Sequence, residues 1–139
     1  MNTFKSGYEG SRRQAKLRIS FPSRDDFRLR TAAARAKLRY FCEVEIFNPA
    51  AVSQSGRPGG PQWIRLVVAL PNRIIGAIDL TGPNQRGSPM TPHGLRLLRS
   101  KAKYLEGRGI PYLLIDRRRS VVEMQLDIEL WTMKLQKEN

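Results

Sequence analysis

The sequence predicts one domain of the α/β (α+β) class, a mixed sheet flanked by helices, and three observations carry that prediction. Two adjacent apolar, β-branched runs, WIRLVVAL (63–70) and RIIGAIDL (73–80), are divided by Pro71 and Asn72. Segments of helical period lie before and after them. A short apolar run, IPYLLID (110–116), follows the second helical segment as a strand returning to a sheet would. The expected order is helix, strand, hairpin, helix, strand, helix. With 139 residues, 40% of them hydrophobic, the chain suits a single core.

Residues 1–20 mix Gly, Ser, Arg and Lys with few apolar positions, which predicts a basic flexible arm carrying Arg12, Arg13, Lys16 and Arg18. The domain then occupies 21–139. Ser23 offers an N-cap with Asp26 three positions later, and Phe27, Thr31, Ala34 and Leu38 follow at helical spacing, so helix one is expected at about 24–38. Its other faces carry Arg28, Arg35 and Arg39, a solvated surface or a stripe for phosphates. YFCEVEIF (40–47) alternates, with Tyr40, Cys42, Val44 and Ile46 on one side and Phe41, Glu43, Glu45 and Phe47 on the other, the period of a strand. The Gly, Pro and Ser content of NPAAVSQSGRPGGPQ (48–62) predicts a loop.

A three-residue turn between the two central runs would set Leu70 against Ile74. Arg65 then stands opposite Asp79, with both side chains on one face and an ion pair within reach. A buried Asp79 needs such a partner, because an isolated buried carboxylate is strongly disfavoured. After a second loop, TGPNQRGSPMTP (81–92), HGLRLLRSKAKYLEGRG (93–109) places Leu95, Leu98, Ala102 and Leu105 on one helical face and Arg96, Arg99 and Lys103 on another. Gly107 or Gly109 stops it. Ser120 and Glu123 form a capping box for a last helix that turns Val121, Met124, Ile128, Trp131 and Leu135 inward.

The charge balance narrows the function. Lys and Arg total 25 against 12 acidic residues, a formal charge of +13, and a nucleic-acid backbone is the expected partner. Cys42 alone makes no internal disulfide, and no Cys and His cluster supplies a zinc ligand set. MNTFKSGYEG lacks the apolar core of a signal peptide, and no stretch approaches the roughly 20 apolar residues that span a bilayer, so a cytoplasmic protein without a membrane partner is expected. No GxxxxGK or HExxH occurs. Glu43 and Glu45 share a strand face and would either hold a cation or simply meet solvent. His93 precedes a helix, where capping or solvation explains it.

The element order, GAIDLTG (76–82) and KAKYLEGRGIPYLLID (101–116) together resemble the PD-(D/E)XK nuclease superfamily, in particular the small bacterial nuclease-like domains found beside topoisomerase-type zinc ribbons. Lys101 and the run Gly109, Ile110, Pro111 match that pattern, and the resemblance spans about residues 24–118. It implies a restriction-endonuclease-like α-β-β-β-α-β-α mixed sheet. The departures fall on the chemistry. The acidic helix position falls near Ala33 or Ala34, the first hairpin Asp at Arg65, and the Lys after the second acid at Thr81. Asp79 remains.

What the resemblance implies is therefore a DNA-binding, non-catalytic or weakly catalytic protein on a degenerate scaffold, an accessory factor in plasmid transfer, maintenance or DNA repair. Arg65 would stand where a metal would sit. Phosphate contacts are expected from Arg12, Arg13, Arg28, Arg35, Arg65, Arg96, Arg99 and Lys103, mainly to double-stranded DNA, with neither metal nor cofactor. Two alternatives remain open. A working nuclease would use magnesium or manganese, with Asp79 and Lys101 catalytic and Glu43, Glu45 or Asp116 assisting. A basic interaction protein would bind an acidic protein or RNA and form a homo-oligomer through the last helix, with Trp131 and Met133 at the interface.

Overall fold

The computed structural model describes residues 23–52, 58–70, 74–83 and 87–138. The expected amino-terminal arm, with Arg12 and Arg13, lies outside the described residues. The elements are α1 (Arg24–Arg35), β1 (Arg39–Val52), β2 (Pro58–Ala69), β3 (Ile75–Thr81), α2 (Pro92–Gly107), β4 (Tyr112–Asp116) and α3 (Val121–Lys137). They form an α+β structure with a four-stranded mixed sheet in the order β1-β2-β3-β4. β1, β2 and β3 are successively antiparallel, and β4 is parallel to β3 after the α2 crossover.

The helices begin where local chemistry starts them. Ser23 caps α1 by accepting from the Asp26 amide, Thr91 caps α2 by accepting from the Gly94 amide with Pro92 in its first turn, and Ser120 and Glu123 close a reciprocal capping box on α3. α1 ends at a left-handed Lys37 (φ 64°) and α2 at Gly109 (φ 71°).

α1 buries a different face from the one expected. Phe27 is 64% exposed and Ala34 is exposed, while Leu29, Ala32 and Ala33 are fully buried. Phe27 was the most conspicuous apolar residue of the helix, but the small side chains at 32 and 33 let the helix lie close to its neighbours. On α2, Leu105 is buried as expected, whereas Leu95 is 36% exposed.

Two clusters cover the two faces of the sheet. Leu29, Ala32 and Ala33 of α1 and Met124 and Ile128 of α3 pack with Leu66, Val68, Ile78, Leu80 and Ile115. Leu105 of α2 packs with Ile64 and Ala77, joined by Ile46, Val67 and Tyr112. Ala77 and Ile78 thus point to opposite sides, as neighbours on a strand must. Trp131 packs against the first cluster, over a Gly76 whose Cβ would lie 2.6 Å from its ring. Trp131 is therefore turned toward the core, as its helical spacing predicts.

The alternation along β1 changes face, which corrects the reading of Tyr40, Cys42, Val44 and Ile46 as one side. Tyr40 and Cys42 pack with the α1 and α3 cluster, and Ile46 packs with α2. The switch falls at Glu43, whose backbone is left-handed (φ 51°), and β2 switches with it, Leu66 going to one cluster and Ile64 to the other.

The expected loop at 48–62 is largely strand as well. Asn48 pairs with Gly60 and Val52 with Pro58 across a register shift. Proline is tolerated there because Pro49 lies on the edge strand β1, Pro58 and Pro61 lie beyond the part of β2 that pairs with β3, and the ladder is already bulged. The extension is fastened to α2 by two buried amides. Asn48 Nδ2 donates to Gln62 Oε1 (2.8 Å), Ser100 O (3.0 Å) and Ser100 Oγ (2.9 Å), and Gln62 Nε2 donates to Leu97 O (3.0 Å).

Candidate nucleic-acid interface

The hairpin register is the expected one. The Leu70 amide donates to Ile74 O (2.8 Å), and Leu66 pairs with Ile78. One step further, the Asp79 carboxylate takes the place of a ladder carbonyl and accepts the Arg65 amide at 2.9 Å. The guanidinium of Arg65 does not pair with Asp79, however. It turns to Asp26 in the first turn of α1.

Asp79, 2% exposed, takes its charge partner from α2, where Lys101 Nζ donates to Oδ2 at 2.9 Å and to Trp63 O at 2.7 Å. Tyr112 of β4 also donates to Asp79 Oδ2. Burial, and then the neighbouring Asp79 charge, hold the Tyr112 phenol well above its ordinary value, so it remains a donor. Tyr112 was missed in the sequence because a tyrosine in an apolar strand looks like packing. Its pairing with Ala77, two residues before Asp79 on the same face, is what brings it to the carboxylate.

Asp26, Arg65, Asp79 and Lys101 line a cleft of about 890 Å³ between the start of α1, the first half of α2 and the β1 and β2 extension. Asp26, Glu43, Arg65, Asp79, Lys101 and Arg117 supply its charges. His93 lines it too, while the helix cap beside it is Thr91. Glu43 faces Arg30 at 3.6 Å. Each of Asp26, Glu43 and Asp79 is thus matched by a cation. The Arg117 Nε is buried without a hydrogen-bond partner among the described residues, a donor at the cleft wall left to be satisfied. Among the described residues no three His, Cys, Asp or Glu side chains are grouped to hold a metal ion.

The other predicted residues separate. Arg96, Arg99 and Lys103 are exposed, on the side of α2 away from Lys101, and Arg35 is exposed at the end of α1. Arg28 belongs to the fold, contrary to expectation. It donates to the carbonyls of Arg117 and Arg119 and to Asp25 Oδ1 (2.9 Å), tying α1 to the turn before α3.

Asp116, a candidate assisting acid, instead accepts from the side chain and amide of Arg118. Those bonds lower its pKa to about 2. Burial raises the pKa of the Cys42 thiol, which favours its protonated form. No described helix is long and apolar enough to cross a membrane. Searches of protein-family models, curated proteins and solved structures returned no match to this chain.

Proposed function

We propose that this chain is a DNA-binding protein on a PD-(D/E)XK-type, restriction-endonuclease-like scaffold in which fixed cations stand in place of a metal, so that it grips phosphates without cutting them. One observation carries the reading. The three carboxylates that line the cleft are already paired with cations, Asp79 with Lys101, Asp26 with Arg65 and Glu43 with Arg30. Phosphodiester hydrolysis of the nuclease kind needs a divalent ion held by convergent carboxylates with charge to spare. A carboxylate with an ammonium at 2.9 Å has little left to offer a metal.

The order of elements and the parallel pairing of β3 with β4 support the scaffold. The formal charge of +13 and the exposed Arg96, Arg99 and Lys103 support the ligand, since a basic stripe on a helix is the usual electrostatic footprint of phosphate contact.

The test is incubation with supercoiled plasmid in magnesium or manganese. The chain should retard the plasmid and leave it uncut, and charge reversal at Arg96 and Arg99 should weaken retardation equally for unrelated sequences. Cleavage that disappears in Asp79→Ala would establish a nuclease instead. Binding displaced by RNA or an acidic polypeptide far more readily than by duplex DNA would favour the interaction-protein reading.

A further inference from the structure

The face switch at Glu43 leaves the outer part of β1 and β2 with two unlike sides. Ile46, Asn48 and Gln62 turn toward α2. Glu45 pairs with Trp63 and Phe47 with Pro61, so these four side chains share the opposite side. Neither core cluster includes them, and Trp63 is 49% exposed and Phe47 64%. Trp63 and Phe47 occupy diagonal positions of one antiparallel pair, close enough to act together as an aromatic platform. Phe47 lies against Gly59, and Gly59, Pro61 and Trp63 all border the cleft.

The same cleft holds a cation that no carboxylate answers. Of the Arg and Lys side chains lining it, Arg65 is held by Asp26 and Lys101 by Asp79. Among the described residues the Arg117 guanidinium meets no acid, and its Nε is buried without an acceptor. The backbone of Arg117 is fixed, its amide donating to Thr81 O (2.9 Å) and its carbonyl accepting from Arg28. A ligand that satisfies both features brings an anionic group to Arg117 and a flat ring to Trp63 and Phe47, which is the makeup of a nucleotide. In a duplex the ring faces are covered by neighbouring base pairs, whereas an unpaired nucleotide presents them. We propose that the cleft takes a single-stranded segment of DNA, its bases stacked on Trp63 and Phe47 and a phosphate on Arg117. This rests on the DNA-binding reading above and adds to it a preference for duplexes that carry an unpaired tail. Glu45 is exposed beside Trp63 on the edge strand and repels phosphate, so the backbone of the tail runs on the Arg117 side and its bases lie toward β1.

Fluorescence titration of the full chain with a blunt duplex, and with the same duplex carrying a single-stranded thymidine tail, tests this. The tailed duplex should bind about tenfold more tightly and quench the emission of Trp63, leaving that of the core-facing Trp131. Trp63→Leu should abolish the quenching and the advantage of the tail while leaving affinity for the blunt duplex unchanged. Arg117→Gln should weaken binding of the tailed duplex alone and lower its salt slope by about 0.7, one phosphate on a single strand. A tail of abasic residues keeps the phosphates and lacks the rings, so with wild type it should quench nothing and recover little of the advantage, a result independent of how the variants fold. Equal binding of blunt and tailed duplexes, or an advantage that survives Trp63→Leu or the abasic tail, would overturn the proposal and leave the DNA-binding reading standing. Binding to neither duplex would overturn both. Quenching of Trp63 by an acidic polypeptide but not by the tail would give the cleft a different occupant and equally overturn the proposal.

Discussion

Asp79 joins four elements through one carboxylate. It sits on β3, accepts the Arg65 amide of β2, Lys101 of α2 and Tyr112 of β4, and its burial makes each bond matter. Asp79→Asn leaves the Lys101 ammonium, whose side chain is 13% exposed, without its counter-charge, and urea unfolding should show a loss of about 3–5 kcal/mol. Tyr112→Phe removes one donor to that carboxylate but leaves the ion pair, and should cost about 1.5–3 kcal/mol. Equal effects would mean that the ion pair is not what holds the junction. The register that sets Arg65 beside Asp79 was legible because strand pairing fixes it locally, whereas Lys101 was singled out only by the resemblance and reaches Asp79 through the packing of α2 on the sheet. The guanidinium's choice of Asp26 was not legible, since in sequence Asp26 reads as a capping residue. Its carboxylate reaches Arg65 only through the packing of α1.

At the scale of elements, the Ser23 cap and the Ser120 and Glu123 box marked where α1 and α3 begin, the helical period marked α2, and the spacing of the two central runs set the register of β2 on β3. The face switch at Glu43 was hidden because unbroken alternation gives no sign of a left-handed residue within a strand. Proline and glycine hid the strand extension, whose wall of the cleft depends on tertiary hydrogen bonds from Asn48 and Gln62 to α2. Asn48→Ala would remove those made by Asn48 and leave a buried acceptor on Gln62, costing about 1–3 kcal/mol. Hydrogen exchange should then quicken at amides 44–48 and 62–64 and leave those of β3 unchanged. A uniform increase would mean that the extension does not open independently.

Taken whole, the molecule spreads its excess charge over several surfaces. Lys101 and Arg65 are spent on carboxylates and Arg28 on carbonyls, while Arg35, Arg96, Arg99 and Lys103 are exposed. Such a distribution suits contact with a polyanion through many phosphates rather than recognition of one base sequence. Composition alone made the excess of positive charge legible, because net charge needs no fold. Which arginines were committed to the interior required the tertiary structure.

The most direct measurement is fluorescence anisotropy of the full chain binding two labelled duplexes of unrelated sequence as salt is raised. Neutralising phosphates releases counterions, so the logarithm of the binding constant should fall linearly with the logarithm of salt, by about 0.9 for each phosphate contacted, and the two duplexes should give the same line. Affinity that does not change with salt, or no binding to either duplex in dilute buffer, would contradict the account.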